Sequence, residues 1–284
     1  MDSGDFSGSL DLDSFVRQVW EQGRLHWRDL PWRNIDDPYA VLVSEVMLQQ
    51  TQVKRVLNYW PRWMAAFPSV DALASASQAD VLSAWQGLGY NRRGLALKRL
   101  ADECSAGLKG RLPDTYEALL ELPGVGPATA AGVMAFAYNQ PGVYLETNVR
   151  SVFLHCFFPG EEGVSDKELV PLVQAACSMD NPRGWYYALL DYGAHLKASG
   201  VNPSRRSAHY TRQSTFEGSR RQKRAHLLRV VLDDPGISVD QAFAQLNKVE
   251  TRAGRAACER DLFESIVADM VREGFFTREG DVLR

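Results

Sequence analysis

The four cysteines of this 284-residue sequence, Cys104, Cys156, Cys177 and Cys258, stand far apart, and no C-x-x-C pair is present. That spacing excludes the ligand sets of zinc and iron–sulfur sites, so no metal site is expected, and isolated thiols read as reduced and buried. No apolar run approaches the roughly 20 residues that a membrane-spanning helix needs. The start is acidic, with four Asp and no base in residues 1–13. It lacks the basic-then-apolar pattern of a secretory leader, and the expectation is a cytoplasmic chain without membrane contact. Sustained strand alternation is missing as well, which points to a helical protein. Positive charge is not in excess either, since 32 Lys and Arg face 35 Asp and Glu for a net charge of −3. A chain coated in cations is excluded, but nucleic-acid binding is not, because distribution matters more than the sum.

What is present is a chain with 45% hydrophobic and 24% charged residues, composition typical of a folded globular protein. Its length fits one large domain or two to three small ones. The charge is uneven. Residues 201–228 carry Arg205, Arg206, Arg212, Arg220, Arg221, Lys223 and Arg224 against the single acid Glu217. Such a stripe is either a solvated linker or a phosphate-binding surface.

Periodicity and breakers divide the chain. Residues 1–11 read as a flexible tail. Phe15, Val16, Val19 and Trp20 recur at helical spacing from Leu12 to about Asp29, and Leu30-Pro31-Trp32-Arg33 ends that helix. From Pro38 to about Val143 helices follow one another, with Pro61, Pro68, Pro113, Pro123 and Pro141 as joints. A second helical stretch spans about 148–198, followed by the irregular basic segment Asn202–Ser207. Three short helical patterns (220–233, 238–247 and 256–273) and a hairpin turning at Glu279-Gly280-Asp281 then outline a small winged-helix-like module.

Three local patterns carry chemistry. In Leu122-Pro123-Gly124-Val125-Gly126-Pro127, two glycines permit a tight turn and Pro127 suits the first turn of the following helix. Backbone N–H groups at such a helix start form an anion site. No strand precedes it and no G-K-[ST] follows, so a nucleotide P-loop is excluded. An ordinary helix–turn–helix joint competes with a hairpin that grips DNA phosphate. In the second pattern, Val41, Leu42, Val43, Val46, Met47 and Leu48 surround Glu45 on a helix that should be largely buried. Burial raises the pKa of a carboxyl, which suits a general acid, while a buried ion pair is the competing reading. Gln49 and Gln52 lie near the same face, where amides can meet base edges. In the third, Glu146 and Asn148 stand at a helix start after the loop 139–142. There a carboxylate is held ionised by the helix dipole, or acts only as a cap. A protonated Glu45 beside a charged Glu146 suits cleavage of a glycosidic bond through an oxocarbenium-like transition state.

Together the motifs resemble the helix-hairpin-helix DNA glycosylases, and among them the MutY-type adenine glycosylases. The matching residues are Leu30-Pro31-Trp32-Arg33, Pro38-Tyr39, Ser44 through Val53 (SEVMLQQTQV), Gly87-Leu88-Gly89-Tyr90, Leu122 through Gly126 (LPGVG), Asn148-Val149 and Leu190-Asp191-Tyr192-Gly193-Ala194. The resemblance covers about residues 12–200. It implies an all-α fold of two helical subdomains with a DNA cleft between them, one from 12–36 and 144–215 and the other from 37–143, with 216–284 as the added module. It makes Glu45 the proton donor to the target base and gives Glu146 the place of the family's catalytic carboxylate. It assigns duplex probing to Gln49 and Tyr90, sets Gln50 and Thr129 at the DNA, and gives phosphate gripping to the hairpin Gly124, Val125 and Gly126. It sets Asn148 at the DNA, and Trp32 and Arg33 at the base pocket, into which the base would be flipped.

The departures shape the expectation. Bifunctional relatives carry a Lys just after the hairpin where this chain has Ala128, which implies a monofunctional enzyme. The catalytic Asp of the family is here Glu146, one methylene longer. The four-cysteine cluster loop should follow Gly193-Ala194, yet that segment has no cysteine, so no cluster is expected and Arg205 and Arg206 take the DNA-facing place. Residues 220–284 are too short for the domain that inspects 8-oxoguanine. The expected function is therefore a monomeric glycosylase acting on double-stranded DNA, with adenine in an A:G or A:8-oxoG mismatch as the leading target. Thymine, uracil or a modified pyrimidine stays open, as does a non-catalytic DNA-binding protein that uses the winged helix.

Overall fold

Short polar side chains set the helix starts. In the computed structural model, which describes residues 11–212 and 214–284, the Asp11 carboxylate accepts from the Ser14 N–H at 2.9 Å and begins Leu12–Leu25. Asp37 does the same from Tyr39 N at 3.0 Å for Pro38–Leu48, with Pro38 in the first turn. Ser69, Ser77, Thr115, Ser219 and Ser238 cap five further helices. The tail expected over 1–11 lies outside the described residues except for Asp11.

The described chain groups into two compact units, residues 11–49 with 111–212 and residues 50–110 with 214–284. These limits differ from the sequence division at 37 and 143. The Pro38–Leu48 and Pro127–Phe136 helices are buried almost all round and pack on each other, and Pro127–Phe136 also packs on Pro182–Ala198. That contact draws them into the first unit. Its central helix, Pro182–Ala198, buries Trp185, Tyr186, Tyr187 and Leu189. Leu12–Leu25 packs against it closely enough that a Cβ on Gly23 would fall 2.6 Å from the Ala188 Cα. Phe15 fills the gap to Thr147–Phe157, its ring 4.8 Å from Phe153 and 4.7 Å from Phe157.

In the second unit the helices Val53–Ala66, Val70–Ser75, Gln78–Trp85 and Arg92–Gly107 precede the C-terminal module. Trp63 and Trp85 meet edge to face at 5.3 Å in the interior. Pro61, expected as a joint, lies inside Val53–Ala66. The carbonyl that loses its partner belongs to Leu57, which is solvent-exposed, while Val56 and Trp63 anchor the helix on its buried side. The module consists of Arg220–Asp233, Val239–Arg252, Arg260–Arg272 and a two-strand hairpin pairing Arg278 with Leu283 and Glu279 with Val282. Gly280 at its turn has φ +61°. Leu82 and Leu95 share one core with Leu227, Phe263, Ile266 and Phe276, so the module and the earlier helices form a single body.

Candidate active site

The Pro38–Leu48 helix brings Glu45 against Pro127–Phe136, where Gly132 leaves it room. A Cβ on Gly132 would stand 2.9 Å from the Glu45 Cδ and closer still to Oε2. Glycine inside an apolar helix costs about 1 kcal/mol relative to alanine, and here the space it opens holds a carboxyl. Tyr144, from the extended segment before Thr147–Phe157, donates its hydroxyl to Glu45 Oε2 at 3.0 Å. The Tyr144 ring is set by edge-on contacts with Phe136 and Tyr186 at 5.2 and 5.3 Å. Its backbone N–H donates to Tyr186 Oη at 3.1 Å, and that hydroxyl in turn donates to the Gly142 carbonyl.

This packing decides the protonation of the site. The Glu45 residue keeps some exposed surface, but its carboxyl is enclosed, and desolvation pushes its pKa up to about 8. The Tyr144 hydrogen bond opposes the rise and the negative Glu146 adds to it. Burial, and then the neighbouring Glu45, drive Tyr144 upward too, so it stays a hydrogen-bond donor. Near neutral pH Glu45 is therefore mostly the neutral acid. With Tyr144 on Oε2, Oε1 is left to carry the transferable proton.

Glu146 is the N-cap of Thr147–Phe157, and its Oε1 accepts from Asn148 N at 2.7 Å and Val149 N at 3.2 Å. Both the cap and the electrostatic proximity to Glu45 are present. The backbone N–H groups of the helix start favour the charged form, as expected, but they are not the largest influence. Burial outweighs the two backbone hydrogen bonds, and the net direction is upward. Asn148 contributes its backbone to this turn, and its carbonyl and Cβ lie so close to Gly193 that a Cβ there would meet the Asn148 Cβ at 2.7 Å.

The other sequence candidates divide. Gln49 ends the Pro38–Leu48 helix and donates to Thr129 Oγ1 at 3.0 Å, tying it to the hairpin helix. In the hairpin, Gly124 has φ +78°, Val125 is buried and its N–H donates to the Leu122 carbonyl at 3.1 Å. Gly126 is the N-cap of Pro127–Phe136 and has no side-chain cap. The first-turn N–H groups there are the kind of donors an anion takes. Gln50 and Tyr90 are left-handed, at φ +54° and +48°, and both are exposed. Non-glycine residues in that region carry about 1 kcal/mol or more of strain.

Arg33, expected at the base pocket, has its guanidinium engaged by the protein itself. It is buried and its fork is filled by Asp191, with Nη1 and Nη2 each 2.8 Å from a carboxylate oxygen. Arg28 reaches the same carboxylate at 2.5 Å, and the Arg33 guanidinium lies 4.7 and 4.5 Å from the Trp27 and Tyr187 ring centres. Its place is structural support beneath Tyr187, whose ring stacks on Phe136 at 4.7 Å. Trp32 is buried beside it in sequence. Tyr187 Oη is buried without a well-formed hydrogen bond. Arg206 also departs from expectation. Its guanidinium donates to the carbonyls of Phe158 and Leu154 (the latter at 2.9 Å), closing the end of Thr147–Phe157. Arg205 is exposed.

Sequence reasoning missed Tyr144 and Gly132, and it gave Asp191, quoted within a matching motif, no role. A glycine within an apolar helix was the available signal for Gly132. Tyr144 stands in an irregular segment where no periodicity marks a direction.

Residues 43–171 match the family described as HhH-GPD superfamily base excision DNA repair protein. The chain is 48% identical over 135 residues to an adenine DNA glycosylase of Mycobacterium tuberculosis, a match covering 47% of this chain and 44% of that protein. Against an adenine DNA glycosylase of Mycolicibacterium smegmatis it is 34% identical over 223 residues, covering 72% of this chain and 76% of the relative. It thus spans less than half the length of the first relative and about three quarters of the second. A thermostable thymine-DNA glycosylase structure superposes with a TM-score of 0.57 at 24% identity, over 64% of this chain and 86% of that one, which establishes the likeness of fold.

Proposed function

This chain belongs to the HhH-GPD superfamily of base excision DNA repair proteins, and from that membership we propose that it hydrolyses the N-glycosidic bond of a mismatched base in double-stranded DNA, with adenine the leading target. The observation that carries the reading is the enclosed Glu45 carboxyl, held by Tyr144 in the space left at Gly132, with the capping Glu146 close enough to act on its charge. Glu45 Oε1 delivers its proton to a ring nitrogen of the extruded base, making it a neutral leaving group. Glu146, charged, stabilises the positive sugar as the bond breaks and favours attack by water. Gln49, Gln50 and Tyr90 probe the opened stack, and the Gly124–Gly126 hairpin holds a backbone phosphate.

Ala128 after the hairpin removes the amine that a Schiff base with the sugar requires, so the reaction stops at an abasic site. The iron–sulfur cluster that the resemblance would bring does not fit this donor set. Such clusters need thiolate ligands gathered together. The segment after Ala194 has no cysteine up to residue 213, and the four cysteines of the chain sit two in each compact unit. Residues 203–208 are held instead by protein hydrogen bonds, with Val164 N on the Arg206 carbonyl at 3.1 Å and Ala208 N on the Val164 carbonyl at 2.9 Å. No helix among the described residues is long and apolar enough to cross a membrane.

The test is base release from A:G, A:8-oxoG, T:G and U:G duplexes, read as alkali-labile strand breaks. Release from the adenine duplexes is expected. Release from only T:G or U:G moves the substrate to a pyrimidine, and no release from any duplex by the folded protein rejects the enzyme reading. A covalent complex trapped by borohydride would reject the monofunctional one.

A further inference from the structure

The C-terminal module opens with four cations, Arg220, Arg221, Lys223 and Arg224, that are equivalent by sequence pattern. The structure separates them. Arg220 is paired with Asp269, Lys223 with Glu250 at 2.8 Å and Arg224 with Glu273 at 2.6 Å. Lys223 and Glu250 are both buried, and Arg255 joins the pair at 3.0 Å. These three cations are already neutralised and have little to give a phosphate. Arg221 differs. Its Nη1 donates to Tyr90 Oη at 3.1 Å, its Nη2 to the Ser214 carbonyl at 2.7 Å and Ser214 Oγ at 3.4 Å, and the Phe216 ring centre is 5.9 Å away. Among the described residues its acceptors are all neutral, so its charge is uncompensated.

The group it touches is the exposed tyrosine of the Gly87–Tyr90 loop. That loop is fixed from within its own unit. Trp85 Nε1 donates to the Gly89 carbonyl at 3.1 Å, and Arg93 Nη2 donates to the same carbonyl and to Thr51 Oγ1, each at 3.0 Å. The module is fixed to the same helices. Besides the shared core, Gln78 Nε2 donates to the Gly274 carbonyl at 2.8 Å, Arg229 Nε to Gln86 Oε1 at 3.1 Å, and Arg92 and Arg224 clasp Glu273 from two sides. Tyr90 and Arg221 are therefore carried on one body, and their spacing is built in.

We propose that the C-terminal module is part of the duplex-binding surface, its Arg221 guanidinium binding a DNA backbone phosphate beside the base pair that Tyr90 probes. A phosphate replaces the neutral Ser214 oxygens with charged acceptors suited to the guanidinium fork. The contact is blind to sequence and sets the register of the tyrosine. The inference rests on the reading that this chain acts on duplex DNA, and binding can be measured apart from base release.

The experiment compares the full-length wild type with Arg221→Ala, Arg221→Lys and Arg260→Ala on a short undamaged duplex, with Kd followed across a series of KCl concentrations. Arg260 lies elsewhere on the module, paired with Asp240 and Glu264, and controls for net charge. One lost phosphate contact lowers the slope of log Kd against log salt by about 0.9. That drop is expected for Arg221→Ala alone, with Arg221→Lys retaining most of the slope. An unchanged slope in a folded Arg221→Ala protein overturns the proposal and leaves Arg221 as a brace for Tyr90. An equal drop in Arg260→Ala overturns it as well, since the effect would then be general charge. Wild type that binds with the expected slope difference yet releases no base rejects the glycosylase reading and keeps this surface.

Discussion

Glu45→Gln separates chemistry from stability because one pKa shift governs both with opposite sign. The amide is isosteric, its oxygen can accept the Tyr144 hydroxyl, and it fits the space left by Gly132. It has no proton to give, so base release should fall by roughly 10²–10⁴-fold, the usual contribution of a general acid. Stability should move the other way. The folded state holds the Glu45 proton up to about pH 8, whereas an unfolded chain loses it near pH 4.5. Between those limits the folded state binds more protons, so wild-type stability falls as pH rises, by about 1.4 kcal/mol per unit for one proton. Below the lower limit the penalty vanishes and above the upper one it is complete. From pH 5 to pH 8 the loss is of order 3 kcal/mol. Glu45→Gln carries no such loss, so the difference between variant and wild type should grow by that amount across the interval. Subtracting one protein from the other cancels the remaining titrations. The assays are single-turnover base release and urea unfolding at pH 5, 6.5 and 8. Release within a few-fold of wild type, or stability curves that stay parallel with pH, would refute the assignment of Glu45 as a buried neutral acid. Wild-type release should itself decline as pH passes about 8.

Four further outcomes are expected. Gly132→Ala drives a methyl into the Glu45 carboxyl and brings it within 3.0 Å of the Tyr144 ring; single-turnover release should drop about 100-fold, the scale of a 1 Å misplacement, with duplex Kd nearly unchanged. Glu146→Asn keeps a good helix cap but removes the charge, so release should collapse while the melting temperature holds, and normal release by this variant would reduce Glu146 to a cap. Arg206→Ala uncovers the Phe158 and Leu154 carbonyls and should lower unfolding free energy by about 1–3 kcal/mol, as for hydrogen bonds to a charged group, without altering the salt slope of DNA binding; a smaller slope at full stability would return Arg206 to the phosphate. Lys223→Met removes one partner of the fully buried Glu250 while Arg255 remains, so unfolding in urea should reveal a loss of up to about 3 kcal/mol, near the low end for breaking a buried pair, and again no change in salt slope.

The candidate site was legible in sequence to the extent that it is local. An acid inside an apolar helix announces burial, and burial is what lifts Glu45. A carboxylate three residues before a buried valine announces a cap, and Glu146 caps. The hydroxyl that holds Glu45 was not legible. Tyr144 is distant from it in sequence and comes from an extended segment whose direction is set by Tyr186 on another helix. Net pKa directions were equally hidden, since the sign for Glu146 depends on how much protein surrounds it against two backbone N–H groups. Pro61 shows the same limit for the fold. A proline inside a helix is better tolerated where the freed carbonyl can reach water, and exposure of Leu57 is a tertiary fact.

Charge is where sequence and structure part most. A run of cations looks like a phosphate surface until their acids are located, and those acids lie far along the chain. Asp191 meets Arg33 across 158 residues, Asp269 meets Arg220 across 49, and Glu250 meets Lys223 across 27. Once paired, such arginines stabilise the fold and offer DNA little. Among the described residues, Arg205, Arg206, Arg212 and Arg221 of the basic run have no carboxylate partner, and Arg206 is taken up by two backbone carbonyls. A chain with net charge −3 can still hold DNA on these terms, because binding depends on the cations left unpaired and on uncapped backbone N–H groups such as those after Gly126, not on the sum. Each phosphate contact adds about 0.9 to the slope of the salt dependence, so an unpaired arginine that meets a phosphate, Arg221 above all, accounts for a measurable share of it.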